Sequence, residues 1–217
     1  MTLAPGLDIL PAAQRALWTE LHAVPMSFVL YGGTALALRL GHRVSVDFDF
    51  FSHDELDHAA LDAIPFLATA TTLQMAPNTR TVVVPREGGE VKVSFFGTIR
   101  FGRIGSPEPT DDGQVRVASV LDLAGTEVKT LLQRVEAKDY RDVAALLDAG
   151  VRIEQILGAA RALFVDTFNP LVARKALSYF VGGDLDTLDE ATRTRLVEAA
   201  TRDVPISTFG LQASRLD

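Results

Sequence analysis

The sequence predicts an α+β protein: a small mixed-sheet core over residues 1–118, followed by an all-helical C-terminal bundle over 119–217. Three observations carry that prediction. Short β-branched and aromatic runs bounded by Gly, Pro and Asn recur between Ser27 and Phe96. From Ser119 onward the apolar spacing becomes helical. Between them, Gly97–Gly113 is rich in Gly, Pro, Asp and Thr, the composition of a loop.

Taken in order, Ala16, Leu17, Leu21 and Val24 mark an amphipathic helix from Pro11 to about Val24, ended by Pro25. Ser27–Tyr31 is short and almost wholly apolar, as suits a buried strand. Gly32-Gly33 breaks it, and a helix runs from Thr34 to Leu40 until Gly41 stops it. Val44–Phe50 alternates strictly, with Val46, Phe48 and Phe50 on one face and Ser45, Asp47 and Asp49 on the other. Ser52 with Glu55 fits a capping box opening a helix to about Ile64. Strands follow over Thr69–Met75, Thr79–Val84 and Glu90–Phe96. The second half reads as helices over Ser119–Val135, Lys138–Ala149, Ile153–Phe164, Pro170–Phe180 and Asp189–Thr201.

Composition narrows the chemistry. With no cysteine among 217 residues, a disulfide scaffold, a zinc–thiolate site and a cysteine nucleophile are excluded. The opening MTLAPGLDIL has neither a basic nor an apolar leader region, and no apolar run nears the ~20 residues of a membrane span. A cytoplasmic protein with no membrane partner is expected. The net charge of −7 disfavours a broad electrostatic grip on nucleic acid. The acid is concentrated early: residues 1–90 hold 5 Lys and Arg against 10 Asp and Glu, whereas residues 91–142 balance at 8 against 8.

The informative stretch is Gly32-Gly33-Thr34, then Asp47 and Asp49. Two glycines between a buried strand and a helix let backbone amides approach a ligand closely, since no Cβ intervenes. The helix N-terminus beyond them offers unpaired N–H groups to a phosphate. Asp47 and Asp49, two apart on a strand, leave the same face about 7 Å apart at the backbone. Two hard oxygen ligands on a rigid strand beside a phosphate cradle suit Mg²⁺-dependent phosphoryl or nucleotidyl transfer. Arg43, just before the acidic strand, either clamps phosphate or neutralises Asp47 and Asp49 in the empty site.

The run Gly32-Gly33-Thr34-Ala35-Leu36-Ala37-Leu38 and Gly41 through Phe51 resembles the nucleotidyltransferases of the AbiEii/AbiGii toxin type, within the DNA polymerase β-like superfamily. A second block, Asp122 through Lys129, then Arg134 and Lys138-Asp139-Tyr140-Arg141-Asp142, resembles that family's helical motif. The resemblance spans residues 27–150 and makes the mixed sheet a nucleotidyltransferase core, with the helical half completing its cleft. It implies that Gly32, Gly33 and Thr34 hold a triphosphate, that Asp47 and Asp49 bind Mg²⁺ or Mn²⁺, and that Lys129 reaches the nucleotide phosphates. It also places Asp139 or Asp142 near the cleft. The activity implied is transfer of a nucleotide from a nucleoside triphosphate to an RNA, tRNA among the candidates, or to a protein. The implied setting is a toxin–antitoxin system with a cognate antitoxin.

One position departs from the superfamily pattern. A third carboxylate is expected on a later strand, and in Val91–Phe96 alternation puts Ser94 there, with Lys92 on the same face. Serine is a poor metal ligand and a poor base at neutral pH, so Asp142 is the candidate substitute. The alternative is a degenerate nucleotidyltransferase that binds nucleotide or protein without turnover. Arg134 and Arg141 read equally as a solvated surface paired with nearby acids. His53, Asp54, Asp57 and His58 read as an exposed capped helix, lacking a zinc pattern.

Overall fold

A computed structural model describes residues 2–217 and separates the chain into two compact units. The first takes the chain up to Gly102, Ser106–Ser119 and Ala213–Asp217; the second takes Arg103–Gly105 and Val120–Gln212.

The first unit is built on one seven-stranded mixed sheet. Its strands are β1 (Val29–Tyr31), β2 (Asp47–Phe51), β3 (Thr71–Ala76), β4 (Thr79–Arg86), β5 (Gly89–Phe96), β6 (Glu108–Pro109) and β7 (Arg116–Val117), in the order β3-β4-β5-β2-β1-β7-β6. Two short turns make β3, β4 and β5 an antiparallel meander, while β2 lies parallel to β5 and antiparallel to β1. Helices α1 (Ala12–Trp18), α2 (Gly32–Leu40) and α3 (His58–Asp62) accompany the sheet. The pleat sorts the residues. Phe48, Phe50, Val82, Val84, Val91, Val93 and Phe95 are fully buried, and the rows between them carry Asp47, Asp49, Thr81, Lys92 and Ser94.

Several local expectations shift. The first helix ends at Trp18, whose indole N–H donates to Asp112 (2.7 Å), and continues only as a 3₁₀ turn over Leu21–Ala23. The acidic strand starts at Asp47 rather than Val44. Val46 is 48% exposed instead of joining Phe48 and Phe50, because its carbonyl accepts a bond from the Gln14 amide and not from a ladder partner. Ser52 and Glu55 open no helix; Asp57 caps α3 instead, its carboxylate accepting from the Ala60 N–H (3.0 Å). The stretch 97–118 holds β6 and β7, and β7 pairs with β1 through a single residue couple, Leu30 with Val117.

The second unit is helical: α4 (Val120–Thr130), α5 (Ala137–Asp148), α6 (Ile153–Leu163), α7 (Pro170–Ala176) and α8 (Glu190–Thr201). α4 and α6 meet closely at Gly125, where a Cβ would lie 3.0 Å from the backbone of Ala159 and Ala160. Asn169 and Asp189 cap α7 and α8 through side-chain oxygens that accept first-turn N–H groups. No helix of the described residues is long and apolar enough to cross a membrane.

Candidate active site

In the first unit, β1 delivers the chain directly into α2. Tyr31 at the N-cap provides no side-chain acceptor, so the first amides of α2 are left to another partner. Gly32 takes φ +73°, a left-handed conformation that glycine tolerates best, and a Cβ there would stand 3.3 Å from Asp49 Oδ2. The missing Cβ thus lets the Asp49 carboxylate lie against the start of the helix, where the helix dipole favours negative charge. Gly41 ends α2 in the same left-handed region (φ +65°), its N–H donating to the Ala37 carbonyl at 2.8 Å.

Thr34, buried in the first turn of α2, ties the helix to the acidic strand. Its hydroxyl shares a 2.7 Å hydrogen bond with Ser45 and donates to the Asp47 carbonyl. This makes Thr34 a fixing point for the backbone that carries Asp47, while its side chain is committed inward. Arg43 is half-buried and donates to the Val44 carbonyl (3.1 Å).

The parallel pairing of β2 with β5 sets what faces the two aspartates. Asp47 is opposite Lys92 and Asp49 opposite Ser94. The Lys92 ammonium reaches Asp47 Oδ2 at 2.8 Å, with side chains 43% and 32% exposed. Ser94 is buried and accepts a hydrogen bond from Thr81 across the next strand (3.4 Å). Further along the same face Phe51 stacks on Tyr31, with ring centroids 5.0 Å apart, and meets Phe96 and Phe101 edge-on. Gly32, Asp49 and Asp47 are therefore brought together, with Ser94 and Lys92 beside them.

The donor set fits a divalent cation. Asp47 and Asp49 offer hard carboxylate oxygens from one strand face. A cation already sits against Asp47 in the form of the Lys92 ammonium.

The second unit carries a separate acidic group. Glu127 on α4 and Asp139 and Asp142 on α5 are each at most 3% exposed, and their ligand atoms all lie within 4.8 Å of one another. Arg134 grips Asp139 through two bonds of 2.9 Å, from Nε and Nη2, and this pairing raises the guanidinium pKa further above its ordinary value. Burial, aided by the neighbouring Asp139 charge, raises the Tyr140 phenol. Arg134 is a half-exposed side chain paired with the nearby acids Glu136 and Asp139, as the helical spacing allows, whereas Arg141 donates to the Thr187 carbonyl (2.8 Å).

Lys129 leaves α4 two residues after Glu127, away from the acidic group. Its ammonium donates to the Thr167 carbonyl (2.5 Å) and lies 5.7 Å from the centre of the Phe164 ring. The His53–His58 segment is spent structurally. Asp54 pairs with Arg215, Asp57 caps α3, and a His58 ring nitrogen lies 3.1 Å from the Ala76 carbonyl oxygen.

Two residues of weight escaped the sequence reading. Glu127 reads as a surface pairing partner until α5 brings Asp139 and Asp142 against it. Lys92 is placed by alternation on the Ser94 face, with no role, until the β2–β5 register sets it opposite Asp47. The only advance signal for Lys92 was its place two residues before Ser94 on the same face.

β1 running straight into α2 beside a mixed sheet with paired aspartates is the arrangement of a nucleotidyltransferase fold. Solved structures share it, two of them as follows. A protein of H. pylori provisionally assigned as a nucleotidyltransferase superposes with a TM-score of 0.52 at 19% identity, covering 86% of this chain and 89% of that one. MenT4, a nucleotidyltransferase toxin of Mycobacterium tuberculosis H37Rv, superposes with a TM-score of 0.56 at 15% identity, covering 86% and 81%. Residues 15–210 match the family described as nucleotidyl transferase AbiEii toxin of a type IV toxin–antitoxin system, and the chain belongs to that family. An uncharacterized protein of Aquifex aeolicus (strain VF5) is 30% identical over 120 residues, 55% of this chain; the match spans 57% of that relative.

Proposed function

We propose that the chain is an Mg²⁺-dependent nucleotidyltransferase that transfers a nucleotide from a nucleoside triphosphate to an RNA or protein acceptor. We propose further that it acts in the cytoplasm as the toxin of a pair restrained by a cognate antitoxin. The observation that carries the reading is the Gly32–Asp49 approach. A left-handed glycine gives up its side chain where an acid must lie beside a helix start that the Tyr31 side chain does not cap.

Asp47 and Asp49 would hold the metal, which when bound supplies positive charge against the triphosphate. The first-turn amides of α2 at Gly32, Gly33 and Thr34 would bind phosphate oxygens, with Arg43 as a flanking cation. Thr34 keeps Asp47 in place through its bond to that residue's backbone. The acceptor hydroxyl attacks the α-phosphorus, and a new O–P bond forms as the α–β bridging bond breaks. Pyrophosphate leaves and the hydroxyl proton is given up to base or solvent. For Lys129 as a phosphate contact and Asp142 as the missing acid, the proposal rests on the family resemblance.

The test is to incubate the purified protein with α-labelled nucleoside triphosphates, Mg²⁺ and total RNA or lysate. Label transfer is expected, and Asp47→Ala is expected to abolish it. No transfer by a preparation that binds nucleotide would overturn catalysis. That outcome would favour a second reading, binding without turnover, which Ser94 opposite Asp49 recommends. Activity that survives Asp47→Ala would move the site elsewhere.

A further inference from the structure

We infer that Lys92 is a cation built into the candidate metal seat: it occupies the Asp47 carboxylate in the resting protein, yields that carboxylate to a divalent ion arriving with nucleotide, and then takes an anionic oxygen of the triphosphate. The inference rests on the reading of Asp47 and Asp49 as metal ligands and adds a residue to that site.

Register is the first support. β2 and β5 run parallel with Asp47 opposite Lys92, so both side chains leave the same face of neighbouring strands. The ammonium lies 2.8 Å from Asp47 Oδ2. Any ion that takes this oxygen as a ligand must displace it or share it.

Charge is the second. β5 contributes Lys92 and the neutral Ser94 opposite the two aspartates, so the four paired positions sum to −1. A third carboxylate in place of Ser94 would call for more than one divalent cation. With lysine beside serine, one divalent ion brings the four positions to +1, the sign that suits a triphosphate. Lys92 stands where further cationic charge is otherwise needed.

Mobility is the third. Lys92 and Asp47 are both partly open to solvent. A lysine stem carries a compact ammonium through many rotamers, so a move of a few ångströms costs little. A purely structural brace is a poor account of the pair. The two strands are already joined through five consecutive residue couples, Asp47–Phe51 with Lys92–Phe96. Ion pairs this exposed add little to stability.

The inference predicts effects of opposite sign on two binding reactions. Free Mn²⁺, titrated into nucleotide-free protein and followed by electron paramagnetic resonance, should bind Lys92→Met and Lys92→Gln roughly fivefold more tightly than the parent, because the competing ammonium is gone. The Mn²⁺ complexes of α,β-methylene nucleoside triphosphates should bind the same variants about tenfold more weakly, since a charge-assisted bond to phosphate is lost. Lys92→Arg should restore nucleotide affinity in large part. Unchanged or weaker Mn²⁺ binding in Lys92→Met overturns the resident-cation claim, and unchanged nucleotide affinity overturns the transfer to phosphate. A brace would loosen both reactions together. Asp47→Asn separates this inference from its foundation. If Asp47→Asn binds Mn²⁺ like the parent, the metal-ligand reading fails. If it loses Mn²⁺ while Lys92→Met is unmoved, only the role of Lys92 falls.

Discussion

Gly32→Ala places a methyl group at the point where α2 and Asp49 meet, and its effect divides into two parts. The first is backbone strain. At φ +73° an L-residue pays about 1–2 kcal/mol, offset by ~0.4–1 kcal/mol from the stiffer unfolded chain. The net loss of stability is therefore roughly 1 kcal/mol. The second part is local. The new Cβ would lie 3.3 Å from Asp49 Oδ2, inside ordinary contact distance, so the carboxylate must shift by a few tenths of an ångström. Ligand geometry for Mg²⁺ is strict, and a displacement of that size should cost at least about 1.4 kcal/mol, or tenfold, in metal affinity. Gly41→Ala is the control, having nearly the same left-handed φ (+65°) with nothing within 4 Å of its would-be Cβ. Urea denaturation should show similar destabilisation in both variants, whereas Mn²⁺ titration should weaken in Gly32→Ala alone. Equal Mn²⁺ affinity in the two variants would refute the claim that Gly32 exists to seat Asp49.

Other expectations follow from the second unit and from the C-terminal segment. Arg134→Met strips two bonds from a carboxylate that is 1% exposed, and should cost about 2–4 kcal/mol in urea denaturation. Adding Asp139→Asn should recover part of that loss; a cost below about 0.5 kcal/mol would show that Arg134 does not hold the acidic group together. The hydrogen bond from Arg215 holds the Asp54 carboxyl below its ordinary value. A depressed acid anchors fully above the unfolded-state value near 4 and lets go as pH falls through its folded value. Amide exchange in residues 213–217, corrected for intrinsic rate, should thus speed up at pH 3 relative to pH 5. In Asp54→Asn it should be fast at both, and a pH-independent parent would refute the anchor.

What was legible in the chain was local chemistry. Gly32, Asp47 and Asp49 could be paired from sequence because strand-turn-helix and two-residue alternation are short-range rules, and the structure puts all three together. Pairings between distant segments were not legible. Nothing in Val91–Phe96 says that it lies parallel to Asp47–Phe51, and only that register turns Lys92 into the partner of Asp47. The same holds for Glu127, which needs α5 packed on α4 before it becomes part of an acidic group. Val46 failed for a different reason. Alternation assumes a strand, and the residue before β2 is held by Gln14 outside the ladder. β6 and β7, two residues each, are too short to leave any periodic signature.

Residues 213–217 belong with the sheet although they follow the whole helical unit in sequence, and Leu216 among them is fully buried. Folding order is therefore constrained. Helices α4 to α8 pack within residues 120–212, whereas the sheet unit also takes in a segment about a hundred residues beyond β7. A chain cut after α8 would have its paired aspartates but lack the Arg215 clamp on Asp54 and the Leu216 side chain. For a member of a toxin family, completion of the sheet unit thus depends on residues that follow the whole helical unit in sequence.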